Sequence, residues 1–211
     1  MGQYYRGVIL AKTSFKKGKI VVRQAYDCRA HNNGAKIMEH SYVGNHYVQA
    51  YEQALANEFY GYPFAWVGDY ADEKFGVDVY TEANNFIDKK TYSNAIKKGF
   101  RVVHDDIYDG LHKIYDMSKF VDKVIIEDNV VTYKYIINLD KKLAVEIPTD
   151  IEDKWIIHPL PILCASGNGQ SGSDYYGINE DLVGTWAYDR IGIGNELPKG
   201  VTLIKADFKE E

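Results

Sequence analysis

His40 is the side chain of this sequence best suited to proton chemistry. It stands in the cluster Glu39-His40-Ser41, with His46 six residues on. An imidazole titrates near neutrality and serves as a general base once a carboxylate orients it. Two carboxylates close a repeated frame, Trp66-Val67-Gly68-Asp69 and Trp186-Ala187-Tyr188-Asp189. Equivalent strand ends would bring Asp69 and Asp189 together, so His40, Asp69 and Asp189 form a candidate catalytic set for hydrolysis. Asp69, Asp72 and Asp174 offer the hard oxygen ligands that divalent cations take, and they are the candidate metal site of a metal-assisted version. Zinc would want a second histidine on the same helical face or a further ligand nearby, and neither is visible. Against these stand plainer roles, a capping or core histidine and turn-forming aspartates. Burial of His40 is expected, with a hydrogen bond to Asp69 or Asp72 rather than to adjacent Glu39. Glu152-Asp153-Lys154 carries half of a nuclease-like E-x-K pattern, but its flanks read as a solvated charge run.

The second chemical feature is the segment from Ala165 to Gly177 (ASGNGQSGSDYYG), which follows directly on an apolar run. Glycine loses more freedom on folding than any other residue, so such a cluster implies unusual backbone angles or close approach of backbone to something else. Gly167 to Gly172 matches G-x-G-x-x-G, yet the dinucleotide fingerprint needs a helix start after it, and Ser173-Asp174-Tyr175-Tyr176-Gly177 is a poor one. Only 39 residues follow Gly172, too few for half a Rossmann sheet. Gly169-Gln170-Ser171-Gly172-Ser173 also lacks the last glycine of a serine nucleophile elbow. A looser cradle of backbone N–H groups around an anion needs no helix. Its candidate ligand-binding residues are Gly167, Asn168, Gly169, Ser171 and Asp174, with Tyr175, Tyr176 and Trp186 as stacking faces. A purely structural or partner-binding loop is the competing reading.

Composition narrows the partners. A chain of 211 residues that is 45% apolar and 26% charged suits one folded domain, with residues 73–128 as an insertion candidate. A net charge of −5 leaves no overall electrostatic footprint for duplex nucleic acid. Tyrosine is the anomaly, at 18 residues, and tyrosine suits both β-rich cores and binding surfaces. Cys28 and Cys164 are too few for a disulfide framework or a zinc ribbon and read as buried free thiols. No signal peptide or transmembrane stretch is evident, and Arg6 stands where a myristoylation motif wants Ser or Thr. A cytoplasmic protein without a membrane partner is the expectation.

The elements that would position these residues follow from periodicity. Tyr4 to Lys12 and Ile20 to Ala25 read as a hairpin around Lys16-Lys17-Gly18-Lys19. Val43, Tyr47, Val48, Tyr51, Leu55 and Phe59 fall at helical spacing and predict the main amphipathic helix over Asn45 to Glu58, with Gly61 beyond it. Phe64 to Tyr70 follows as a buried strand. Thr91 to Lys98 predicts a short helix, Phe100 to His104 a strand, and Asp105 to Asp122 a further helix. Val130 to Asn138 and Leu143 to Ile147 alternate as a hairpin rich in β-branched residues. Pro159 and Pro161 make Trp155 to Cys164 an edge strand or extended segment, and Thr185 to Ile193 and Val201 to Ala206 close the chain as strands. The pattern is α+β, a mostly antiparallel sheet with one main amphipathic helix and a few short ones.

Several of these segments form an ordered set: Met1 to Tyr5 (MGQYY), Lys36 to Asn45 (KIMEHSYVGN), Trp66 to Asp72 (WVGDYAD), Tyr135 to Lys142 (YIINLDKK), and HPLP, GNGQSGSDY and VGTW between His158 and Trp186. In them the chain resembles a family of uncharacterised bacterial and bacteriophage proteins that open with MGQYY. That family has no assigned activity, so the resemblance implies no mechanism and leaves any cofactor open. It points to His40, Asp69, Asp72, His158, Asn168, Asp174 and Asp189 as shared features. Gln170 and Ser171 stand where more basic or glycine character is expected, which weakens a phosphate-binding inference. The leading expectation is a binder of a small polar or anionic molecule, such as a nucleotide, through the Gly-rich loop. The alternatives are the His/Asp or metal-assisted hydrolase and a phage-type protein-binding inhibitor that uses its tyrosine-rich surface.

Overall fold

The N-terminal strand β1, Tyr5–Leu10, is buried at every position, so it must be covered on both faces. Tyr5 and Ile9 point into one core while Val8 and Leu10 point into another, as the two-residue period of a strand requires. In the computed structural model, residues 2–31, 33–97, 133–149, 156–170, 172 and 174–209 are described. β1 pairs antiparallel with β2, Val22–Ala25, completing the expected hairpin, and with β3, Tyr62–Gly68. Beyond β3 lie β7 (Arg190–Gly194), β4 (Tyr135–Asn138), β5 (Leu143–Glu146) and β8 (Thr202–Leu203). β6, Ala165–Ser166, runs parallel to the far end of β3. The sheet order is β2-β1-β3-β7-β4-β5-β8, and every pairing is antiparallel except β3 with β6 and β5 with β8. The protein is therefore α+β with a mostly antiparallel sheet.

Two larger helices cover the sheet, with the short α1, Ile37–His40, ahead of the first of them. α2, His46–Ala56, starts at Asn45, whose Oδ1 accepts from the amides of Tyr47 (2.9 Å) and Val48 (3.4 Å). Its buried stripe of Tyr47, Val48, Tyr51 and Leu55 is the one periodicity predicts. Tyr51 lies across β1 at Gly7, where a Cβ would come within 2.6 Å of the tyrosine ring. Its hydroxyl donates to the Gly7 carbonyl and accepts from the Tyr26 amide, satisfying a buried phenol.

The other face is covered by α3, Val79–Lys97, which is far longer than the helix expected from Thr91. Val79, Ala83, Ile87 and Thr91 are buried at four-residue intervals, and α3 lies against β2 and β1. That buried stripe is one residue wide and the rest of the segment is largely polar, which hides the helix from a hydrophobicity reading. The strand expected over Phe100 to His104 and the helix over Asp105 to Asp122 lie outside the described residues.

Two strand expectations are corrected. Pro159–Leu163 is a short helix, α4, because proline has no N–H to lose at a helix start and its fixed φ suits the first turn. His158 caps it, Nδ1 accepting from the Leu160 amide at 3.1 Å. Thr185 to Asp189 are turns rather than strand, closed by bonds such as Ala187 N–H to Gly184 O at 3.0 Å. Among the described residues no helix is long and apolar enough to cross a membrane.

Candidate functional site

His40 is fully buried at the end of α1. Its Nε2 accepts from the Trp66 indole N–H at 2.8 Å, which leaves the proton on Nδ1, facing the Gly34 carbonyl at 3.1 Å. The partner is thus the Trp66 strand, but through the indole rather than through Asp69 or Asp72 as expected. Glu39 is engaged elsewhere, accepting from the Lys36 amide at 3.0 Å. Burial pulls the imidazole pKa down to about 4, only partly offset by the Gly34 bond. A neutral, enclosed ring with both nitrogens used is a structural residue. It holds α1 against a nest of rings in which Tyr47 and Trp66 both meet it edge-on or tilted, at centroid distances of 5.1 and 5.4 Å.

The two W-x-x-D frames are not equivalent in space. Asp69 follows the last residue of β3, and its amide bonds to the Tyr4 carbonyl. Asp189 sits across from Phe64, its carbonyl accepting from the Phe64 amide at 3.0 Å. Five strand residues at about 3.3 Å each separate the two aspartates by roughly 17 Å. Asp189 instead anchors the β4–β5 turn, accepting from Asn138 Nδ2 at 2.8 Å and pairing with Lys141 at 3.3 Å. The set His40, Asp69 and Asp189 is therefore not assembled. Asp72 is exposed, and among the described residues no three His, Cys, Asp or Glu side chains are grouped to hold a metal ion.

Asp69 and Asp174 do converge on one place, the end of the sheet where β1 begins and β3 finishes. Asp69 Oδ1 accepts from the Tyr4 amide at 3.0 Å. Asp174 is buried, with Oδ1 accepting from the Tyr5 hydroxyl at 3.0 Å and Oδ2 from the Gly169 amide at 2.7 Å. Burial first, then the Asp174 charge and hydrogen bond, push the Tyr5 phenol well up, with smaller contributions from Asp69 and Tyr176.

The Gly-rich loop is explained here. The side chain of Gln3 is wholly buried, its amide oriented so that nitrogen donates to Gly167 O at 2.8 Å and oxygen accepts from the Tyr70 amide at 3.3 Å. A Cβ on Gly68 would fall 1.9 Å from that amide, and one on Gly167 would fall 2.6 Å from it. Gly167 also adopts φ +103°, a region side chains avoid. The Gln3 N–H bonds Gly172 O at 3.1 Å, tying the loop to the N-terminal segment. Asn168 clasps Tyr175 by both amide atoms, accepting from its N–H at 2.9 Å and donating to its carbonyl at 3.1 Å. The close approach that glycine permits is thus to the chain's own Gln3, and the backbone N–H of Gly169 already faces a carboxylate, that of Asp174.

Tyr175 and Trp186 are corrected as stacking faces. Both are buried, Tyr175 with its hydroxyl donated to the Ile178 and Lys209 carbonyls. Ser171 lies outside the described residues. What the loop end does expose is Tyr4 (48% exposed), Tyr70 (50%) and Tyr176 (53%). Sequence reasoning missed Gln3, Tyr4 and Tyr70. Strand alternation carried a signal, since Gln3 shares the parity of inward-facing Tyr5, while Tyr4 lies between them.

Two further polar pairs sit inside the fold. Glu52 and His158, both nearly inaccessible, meet at 3.0 Å and join α2 to the cap of α4. Arg6 donates to Asn84 Oδ1 at 3.0 Å and to Asp27 Oδ1 at 3.2 Å, linking β1, α3 and the turn Cys28–His31. Burial works to raise Asp27, but hydrogen bonds from Arg29 and the charges of Arg6 and Arg29 prevail and hold its carboxyl below the usual range. Cys28 and Cys164 are free and buried, and burial pushes both thiols up. No protein-family model, curated protein or solved structure matches this chain.

Proposed function

We propose that this chain is a protein-recognition module whose binding surface is the sheet end built from Gln3 to Tyr5, Gly68 to Glu73 and the Gly-rich loop. The observation that carries this reading is the exposure of Tyr4, Tyr70 and Tyr176 around a hydrogen-bonded frame. Tyrosine offers large amphipathic contact area with few rotatable bonds, which is why interfaces are enriched in it. The frame keeps the backbone beneath these rings from having to order on binding, which lowers the entropic cost of association. Recognition of a small anion through the same loop is less well supported, because the Asp174 carboxylate takes up the Gly169 N–H.

The test is site-specific photo-crosslinking from positions 70 and 176, followed by reconstitution with the purified captured protein. Expected is one saturable partner, bound at least about tenfold more weakly (about 1.4 kcal/mol) by Tyr4→Ala/Tyr70→Ala/Tyr176→Ala. An unchanged affinity in that variant, or capture that never saturates, removes the reading.

A further inference from the structure

The three segments that build this end carry a charge pattern of their own. Residues 2–5, 68–73 and 166–177 contain Asp69, Asp72, Glu73 and Asp174 and no lysine or arginine. Among the described residues, cations that flank these segments are turned to other partners, Arg6 inward to Asp27 at 3.2 Å. Lys74 Nζ lies 4.9 Å from the centre of the Tyr188 ring. Lys209, whose carbonyl meets Tyr175 and Ile178, pairs its amine with Asp207 at 3.2 Å. Asp174 is buried and spent on Tyr5 and Gly169, and Asp69 on the Tyr4 amide. Asp72 and Glu73, in contrast, are exposed beside Tyr70.

Exposed phenol rings with exposed carboxylates close by in the chain suit one ligand chemistry. A lysine or arginine can lie over a tyrosine face while its charged head pairs with a carboxylate, and both contacts strengthen once water is excluded. An acidic partner would meet only like charge here, which costs association rather than assisting it. We infer that the partner presents a basic, Lys/Arg-rich segment to Tyr70, Asp72, Glu73 and Tyr176. This rests on the protein-recognition reading and specifies the partner's chemistry.

The probe is a fluorescein-labelled peptide of alternating Arg and Gly, compared by anisotropy with the same peptide carrying Glu for Arg. Asp72→Lys/Glu73→Lys reverses the local charge. Glu58→Lys/Glu196→Lys makes the same net change among exposed residues away from the site, Glu58 lying just before the opposite end of β3. Expected is saturable binding of the Arg peptide only, weakened about tenfold or more by Asp72→Lys/Glu73→Lys or by Tyr70→Ala/Tyr176→Ala, and less than about twofold by the distant reversal. Should either near-site variant lower the melting temperature, Asp72→Asn/Glu73→Gln and Tyr70→His/Tyr176→His take their places. Equal binding of the two peptides, or equal weakening by both charge reversals, overturns the inference by reducing it to bulk charge. The protein-recognition reading fails separately: a crosslinked partner insensitive to the tyrosine substitutions removes it. A tyrosine-dependent partner indifferent to Asp72→Lys/Glu73→Lys removes only the basic chemistry.

Discussion

Acidification should unfold this protein partly through His40, and the size of the effect follows from its enclosure. The ring is neutral in the fold, with Nε2 accepting from Trp66 and a pKa lowered to about 4. In the unfolded chain the same group titrates near about 6.5. A depressed folded-state pKa means that the unfolded state binds the proton first. The contribution of His40 is therefore whole above about pH 6.5 and is lost as pH falls toward about 4. Integrated down to about pH 4.5, the loss is roughly 2–3 kcal/mol from this group alone. Carboxylates titrate in the same window, so the measurement is a difference between wild type and His40→Asn, followed by urea unfolding at several pH values. At neutral pH the variant should be less stable by about 2–4 kcal/mol, because the Trp66 indole and Gly34 carbonyl lose a well-fitted partner in a buried site. At about pH 4.5 that penalty should shrink by roughly 2–3 kcal/mol, because only wild type still excludes a proton. A penalty that does not change with pH, or an NMR titration placing His40 near its ordinary value, would refute the account of an enclosed, neutral imidazole.

Other expectations concern the frame. Gly68→Ala should cost several kcal/mol, on the order of 2–4, since its Cβ would sit 1.9 Å from the Gln3 amide, whereas Gly172→Ala, with nothing near, should stay within about 0.5 kcal/mol; thermal unfolding of the two variants compares them directly. Glu52→Ala should destabilise by about 1–3 kcal/mol by leaving His158 unsatisfied in the core, and Glu52→Gln by less, because an amide oxygen still accepts. Asn45→Ala should cost about 0.5–2 kcal/mol by uncapping α2, measured as a shift of the urea midpoint with unchanged slope.

The tyrosines divide between two jobs that composition cannot separate. Tyr5, Tyr47, Tyr51 and Tyr175 are buried, with hydroxyls donated to Asp174 or to backbone carbonyls, so they are core residues with a satisfied polar tip. Tyr4, Tyr70 and Tyr176 lie exposed next to members of the first group. A strand that places alternate residues on opposite sides produces this division at Tyr4 and Tyr5 without any change of residue type.

The sequence by itself determined α2, the β1–β2 and β4–β5 hairpins and the α+β class, because these rest on local periodicity and on turn and cap chemistry that act within a few residues. It also marked the Gly-rich loop as a place of close approach, since glycine in such density has few other uses. Tertiary structure alone decided what approaches. The amide at Gly68 and Gly167 belongs to Gln3, more than 160 positions from the loop, and no spacing rule connects them. The same holds for His40, whose partner among nearby polar groups was chosen by how β3 passes α1, and for Asp69 and Asp189, which similar local frames place at opposite ends of one strand. α3 lies between these cases. Its stripe of Val79, Ala83, Ile87 and Thr91 is one residue wide in a polar segment and does not announce a helix, but it packs against the second face of the sheet. Local interactions are written in local sequence, whereas the pairing of distant buried groups is settled only when the whole core closes around them.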